Sequence, residues 1–202
     1  MKLLGITGGI GMGKSTTGAL LEKRGLAVAD TDLIARQLVG PARPALAEIA
    51  AAFGPAVVLP DGLLDRKALA SRVFADPAER EKLEAILHPK IRRAWAAEVE
   101  EWRAAGFEFG AVIIPLLFET RAEPLFDAVI CVACGAASQL ERLDQRGWSR
   151  AEIKQRKEAQ WPVEEKIARA DFVIWTDTTL EAHAAQLDGV LSRIKNPVPS
   201  LP

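Results

Sequence analysis

The segment Gly8-Gly9-Ile10-Gly11-Met12-Gly13-Lys14-Ser15-Thr16 constrains the fold of this chain more than any other, because it fits the spacing G-x-x-x-x-G-K-[ST] at every fixed position. It follows the apolar run Leu3–Thr7 and precedes a helical pattern from Ser15 to Arg24, which is the strand, loop and helix order that such a loop requires. Gly8, Gly9, Gly11 and Gly13 allow the backbone to turn tightly and aim its N–H groups inward, while the following helix points its positive end at the same place. Lys14 can reach the β- and γ-phosphates of a nucleotide as a point charge, and the Ser15 hydroxyl can ligate the Mg²⁺ that bridges them. With Met12 inside the loop and Thr16 on the first helical turn, Gly8 to Thr16 read as the binding site of a nucleoside triphosphate. An ordinary glycine-rich turn is the bland alternative, but so many glycines cost conformational entropy without gain unless a ligand needs close approach to the backbone.

At 202 residues there is room for one α/β domain with an inserted subdomain. A formal charge of −1, from 26 basic and 27 acidic residues, argues against a global attraction to nucleic acid or anionic membrane, so any anion site must be local. No apolar run approaches the roughly 18 residues of a membrane span, and the N-terminus enters the first strand without a signal-peptide layout. A soluble cytoplasmic protein is expected. Cys131 and Cys134 form a C-x-x-C spacing inside an apolar segment, where buried cysteines as small hydrophobes fit a strand better than a zinc or redox site.

Strand-like runs at Leu3–Thr7, Leu26–Ala29, Phe109–Ile114, Ala128–Ala133 and Phe172–Trp175 alternate for the most part with helical patterns, the rhythm of a parallel sheet covered on both faces. Catalytic groups are expected at the carboxyl ends of those strands. The stretch from Leu33 to Gly106 is helical in pattern, with Gly40-Pro41, Gly54-Pro55, Pro60-Asp61-Gly62 and His88-Pro89 as punctuation between several helices. In it Trp95 and Trp102 share one helical face, either as core or as the wall of an acceptor pocket. From Ser138 to Ala170 a second helical stretch carries Arg142, Arg146 and Arg150 four residues apart, on one face if the helix is continuous. Such a segment is either a solvated, salt-bridged surface or a lid whose arginines cover transferring phosphates. The expected layout is therefore a core over about 1–32, 107–137 and 171–195, an insertion over about 33–106, a lid over about 138–170, and a loose tail at 196–202.

Asp30-Thr31-Asp32 follows the second strand-like run, which sets both carboxylates at the carboxyl end of the strand next to the phosphate loop. Asp32 suits a general base that orients an acceptor hydroxyl and takes its proton, and Asp30 can orient Asp32 or hold Mg²⁺ through water. The alternative is a plain helix N-cap before Leu33-Ile34-Ala35-Arg36. Neither the third nor the fourth strand ends in the aspartate that motor-type nucleotidases use for Mg²⁺, and no Asn-Lys-x-Asp segment reads guanine. The residues alone thus point to a kinase of a hydroxyl-bearing small molecule, with a nucleotide-sensing binding protein as the rival class.

Together these segments resemble the dephospho-coenzyme A kinases. The resemblance runs over nearly the whole chain: Gly5 to Thr16, Asp30-Thr-Asp-Leu-Ile-Ala-Arg36, Asp61-Gly-Leu-Leu-Asp-Arg66, Leu83-Glu-Ala-Ile-Leu-His-Pro89, Pro115-Leu-Leu-Phe-Glu119, Gln139-Leu-Glu-Arg142 with Arg146, Arg156 with Gln160, and Lys166 with Ala170-Asp171. It implies an α/β fold with a three-layer P-loop kinase core on a five-stranded parallel sheet, a helical acceptor-binding insertion and a helical lid. It also implies ATP and Mg²⁺ as cofactors, dephospho-coenzyme A as the small-molecule partner, and a monomer or weak homo-oligomer. By similarity Asp32 is the base. Arg66, His88, Pro89, Leu116, Leu117 and Glu119 lie on the acceptor side, and Arg142 and Arg146 serve the lid, with Lys14 and Arg142 acting in catalysis. A nucleoside or nucleotide kinase of similar architecture is the rival within the class. Near the last strand the family often carries an asparagine followed shortly by glycine, whereas this chain has Thr176 and Thr178.

Overall fold

The computed structural model describes residues 1–196; the tail expected at 196–202 lies outside the described residues from position 197 on. Two compact units emerge, one formed by residues 1–29 with those from 102 onward, the other by Asp30–Glu101.

The first unit is built on β1 (Lys2–Thr7), β2 (Ala27–Asp30), β3 (Phe109–Ile113), β4 (Ala128–Ala133) and β5 (Phe172–Trp175), in the spatial order β2-β3-β1-β4-β5. β1 pairs in parallel with both β3 and β4, and β4 with β5. The expected strands are therefore present, with one difference in arrangement. The strand that ends in Asp30 is not the neighbour of β1, because β3 lies between them. Strand order depends on crossovers that sequence succession does not encode.

Side chains alternate across the sheet with the two-residue period of a strand. Leu4, Ile6, Ala111, Ile113, Ile130, Val132 and Ile174 bury one face against Leu20 and Leu21 of α1 (Lys14–Glu22) and Leu187 and Val190 of a C-terminal helix, Leu180–Lys195. Each fully buried Leu or Ile contributes about 1.5–3 kcal/mol, so this shared core fixes the carboxyl edge of the sheet on which the loop stands. Cys131 and Cys134 are buried and free, as a strand reading expects, and burial pushes the Cys131 thiol up to about 11. Trp102 lies over the β3 backbone, where a Cβ at Gly110 would come within 2.8 Å of its ring.

The second unit holds α2 (Thr31–Leu38), α3 (Pro44–Phe53), α4 (Arg66–Ala75) and most of α5 (Pro77–Ala104). Its own small core gathers Val39, Ile49, Phe53, Val57, Leu69 and Val73, with Leu83, Ile86 and Leu87 of α5 packed on it. The break expected at His88-Pro89 does not occur: α5 runs for 28 residues with Pro89 inside it. A proline removes one helical hydrogen bond and crowds one carbonyl, which bends a helix more readily than it ends one when both halves are buried. Here Leu83, Ile86 and Leu87 precede it, and buried Trp95 and Val99 follow.

The stretch expected as a lid holds α6 (Ala136–Gln145), α7 (Arg150–Glu158) and α8 (Val163–Arg169), and the C-terminal helix is α9. The helix that would align three arginines is not continuous. It stops before Gly147, whose φ of 75° leaves the helical region, and Arg150 restarts a helix behind a Ser149 and Glu152 capping box. Arg150 turns to Asp144, 3.0 Å away.

Candidate active site

The loop between β1 and α1 takes its shape from close backbone approach. Gly8 has φ 140°, and a Cβ there would stand 2.1 Å from the Val132 carbonyl oxygen of β4, so no other residue fits. Gly13 is the N-cap of α1 with φ 99°, a left-handed conformation. No side chain caps α1 and its first turn carries no acidic residue. Its orphan N–H groups and positive dipole end therefore face outward as an anion site, on which Ser15 and Thr16 are exposed. Lys14 Nζ is held over the loop, donating to the carbonyls of Gly8 at 2.9 Å and Gly9 at 2.8 Å. From within, Thr17 Oγ1 donates to the Gly13 carbonyl at 3.2 Å and lies 3.0 Å from Nε2 of buried His183 on α9.

Side chains from far along the chain grip the loop. Gln139 of α6 donates to the Ile10 carbonyl at 2.7 Å, and Gln160, just past α7, accepts from the Ile10 N–H at 3.2 Å. Thr176, just past β5, donates to the Met12 carbonyl at 3.0 Å. Arg142 donates to Thr176 Oγ1 at 2.8 Å and to the Thr176 carbonyl. Arg146, one turn on, caps α6 and is exposed. Of Arg142 and Arg146, the fold brings Arg142 to the loop through Thr176. A cleft of about 490 Å³ opens beside the loop, lined among others by Ile10, Met12, Cys134, Gln139, Gln160 and Trp161.

Beyond β3 the chain forms a buried ionic node. Lys166 of α8 is fully buried, and its Nζ lies 2.7 Å from both the Pro115 carbonyl and Glu119 Oε1. Glu119 Oε1 also accepts from the Trp161 N–H at 2.8 Å, and the Pro115 carbonyl accepts from Thr7 Oγ1 at 3.3 Å. Removing one partner of such a pair strands a buried charge at a cost of about 3–5 kcal/mol, so the node fastens α8 to the ends of β1 and β3. Leu116 is half-buried. Leu117 is fully buried and packs towards Gly5 in the sheet, within 2.7 Å of where a Cβ there would stand.

In the second unit, Asp30 accepts from the N–H groups of Asp32 at 2.8 Å and Leu33 at 3.4 Å, which makes it the N-cap of α2. Asp32 stands exposed on the first turn of that helix. Arg66 opens α4 behind the Asp65 cap and is exposed, His88 is half-buried and Pro89 exposed within α5.

Among the described residues no cluster of three or more His, Cys, Asp or Glu could cage a metal ion. Magnesium needs no such cage, since it keeps several waters and binds through phosphates plus one or two protein oxygens. The exposed Ser15 hydroxyl at the open end of α1 fits that role. Among the same residues, no helix is long and apolar enough to cross a membrane.

The arrangement is that of a phosphate-binding loop kinase, and comparison with known proteins sharpens it. The profile of the dephospho-CoA kinases (CoaE) matches residues 2–182. The chain belongs to the dephospho-CoA kinase family. Its relative from Anaeromyxobacter dehalogenans, a dephospho-CoA kinase, is 48% identical over 196 residues, spanning 96% of this chain and 93% of that one. Among solved structures, TT1252 from Thermus thermophilus aligns with a TM-score of 0.80 at 37% identity, over 95% of this chain and 97% of the other. A dephospho-CoA kinase from Campylobacter jejuni aligns with a TM-score of 0.68 at 26% identity, over 95% and 96%.

Sequence reading gave this dephospho-CoA kinase family member its loop but assigned no role to the residues that brace it. Gln139, Gln160 and Lys166 carry part of the family resemblance, but as single polar residues in charged stretches they do not disclose their distant partners, although Gln139 and Lys166 are buried. Hydrogen bonds from Ser138 and the Gly135 N–H hold the Asp177 carboxyl below its usual range, so the residue after Thr176 stays ionised and tied to the start of α6.

Proposed function

We propose that this kinase transfers the γ-phosphoryl group of ATP to the ribose 3′-hydroxyl of dephospho-coenzyme A, giving coenzyme A and ADP, and acts in the cytoplasm as a monomer or weak homo-oligomer. The observation that carries the reading is the open N-terminus of α1 beneath a glycine loop and Lys14, in a chain matched along its length by dephospho-CoA kinases. The loop N–H groups and Lys14 bind and orient the β- and γ-phosphates. Asp32 orients the acceptor hydroxyl and takes its proton as the oxygen attacks phosphorus, while the bond to the bridging oxygen of ADP breaks. Arg142 offsets the charge on the transferring group, with Arg146 beside it on the lid. Ser15, with Asp30 through water, would hold Mg²⁺, which would supply neutralisation of phosphate charge. Arg66, His88, Pro89, Leu116, Leu117 and Glu119 serve the acceptor side.

The test is ADP release from Mg·ATP with and without dephospho-coenzyme A, with the product mass checked for one phosphoryl group at the ribose 3′ position. Acceptor-dependent release with that product is expected. Release only with nucleosides would replace the acceptor, and nucleotide binding without turnover for any acceptor would make the chain a sensor.

A further inference from the structure

The surroundings of Thr176 give it a definite task. It is 4% exposed, in the turn between β5 and α9. Its hydroxyl is used in both senses: it donates to the Met12 carbonyl of the phosphate loop at 3.0 Å and accepts from Arg142 Nη1 at 2.8 Å. The Thr176 carbonyl accepts from the second terminal nitrogen of the same guanidinium. Its methyl group meets the loop as well, since a Cβ at Gly13 would lie 3.2 Å from Thr176 Cγ2. The next residue, Asp177, takes the Gly135 N–H with both carboxylate oxygens, at 2.9 and 3.0 Å, and Gly135 is the N-cap of the helix that carries Arg142. One turn of chain therefore ties together the loop, the start of α6 and the guanidinium two turns into it.

We propose that Thr176 is a positioning residue, whose hydroxyl holds Arg142 in fixed register with the phosphate loop, so that this arginine belongs to the core rather than to the lid. Among the described residues the guanidinium bonded to Thr176 is that of Arg142, and Gly147 separates Arg146 from α7. A planar guanidinium held by two bonds keeps its orientation at little entropic cost when nucleotide binds. The single hydroxyl proton goes to the Met12 carbonyl, so Thr176 Oγ1 has no second proton to donate. The inference rests on the assignment of Arg142 to the transferring phosphoryl group.

The test is a double-mutant cycle on the full chain, with Thr176→Val, Arg142→Ala and the double variant, assayed with ATP and dephospho-coenzyme A. Thr176→Val keeps the shape and removes the hydroxyl; it is expected to lower kcat about tenfold, the usual worth of a hydrogen bond to a charged group. The KM for dephospho-coenzyme A should not change. Thr176→Ser should restore most of the loss, and Thr176→Val should add little once Arg142 is alanine. Equal losses from Thr176→Val in both backgrounds, or wild-type kcat in Thr176→Val, would overturn the proposal while a crippled Arg142→Ala left the phosphoryl assignment standing. Wild-type kcat in Arg142→Ala would instead remove that assignment, and the proposal with it. Should Thr176→Val fail to fold, Thr176→Ala in the same cycle gives the same reading.

Discussion

Two helices that begin within 17 residues of each other in sequence treat their N-termini in opposite ways. Both have the same physical problem, a set of N–H groups with no partner inside the helix. α2 solves it with its own sequence: Asp30 takes the N–H groups of Asp32 and Leu33, and Asp32 adds negative charge to the first turn. α1 leaves it unsolved, with a left-handed glycine as N-cap, no side-chain cap and no acid in its first turn. A free N-terminus forgoes roughly 1 kcal/mol of capping stability, and the chain retains it where a phosphate can supply the acceptor. The capped helix teaches the complementary lesson. Asp30 does the capping, so the two neighbouring carboxylates are not equivalent, and the base role proposed for Asp32 does not compete with the cap.

The comparison breaks most visibly if α1 is deprived of its cation. Lys14→Ala is expected to reduce kcat/KM for ATP by at least about 10²-fold, the scale of losing one charge-stabilising donor at a transferring group. Nucleotide affinity, read by titration calorimetry, should fall with it. Unchanged affinity would mean that the open helix end is not where the phosphates bind. On α2, Asp32→Asn should lower kcat about 10²-fold while leaving nucleotide affinity intact, the signature of a lost general base. If turnover stays within a few-fold of wild type, Asp32 is part of the cap region and nothing more.

How much of this was legible before the fold depends on how far apart the partners lie. The phosphate loop is local: its glycines, Lys14 and Ser15 carry their meaning in one short segment, and the strands announce themselves as apolar runs. Asp30 and Asp32 were legible as a pair, but which one caps depends on where the helix starts. Strand order was not legible, because nothing in Leu26–Ala29 records that β3 will lie between it and β1. Pro89 misled, since a proline in a helix buried on both sides of it costs less than the packing returns. The braces were least legible of all. Gln160 and Thr176 reach loop residues 150 and 164 positions away, and a lone polar side chain carries no mark of so distant a partner.

The cap on α2 offers a smaller test of the same contrast. Asp30→Ala removes the acceptor for two N–H groups and should destabilise by about 1 kcal/mol, lowering Tm by about 3 °C. Asp30→Ser, which can still cap, should recover most of that. The pair also separates capping from the water-mediated Mg²⁺ role proposed for Asp30, because serine restores the first without supplying a carboxylate. If activity stays low in Asp30→Ser while Tm recovers, the carboxylate serves the metal. If both recover, Asp30 is a cap alone.

The smallest effect concerns what replaces a cap on α1. That helix is braced from within, where Thr17 Oγ1 donates to the Gly13 carbonyl and contacts His183 Nε2. Burial, aided by the cations of Arg142 and Arg24, lowers the pKa of His183 below its ordinary value of 6.5. The unfolded chain therefore takes up the proton first as pH falls. Stability from the neutral ring is complete above about pH 6.5 and is lost as pH falls from there towards the folded-state value. Thermal unfolding of wild type should accordingly show a downward slope in Tm below about pH 6.5, before the carboxylates begin to titrate. His183→Gln keeps a donor near Thr17 but cannot titrate, so its Tm should stay flat across that interval. Parallel slopes in the two proteins would show that the ring is not held neutral. The N-terminus of α1 would then lack the buried brace that lets it do without a cap.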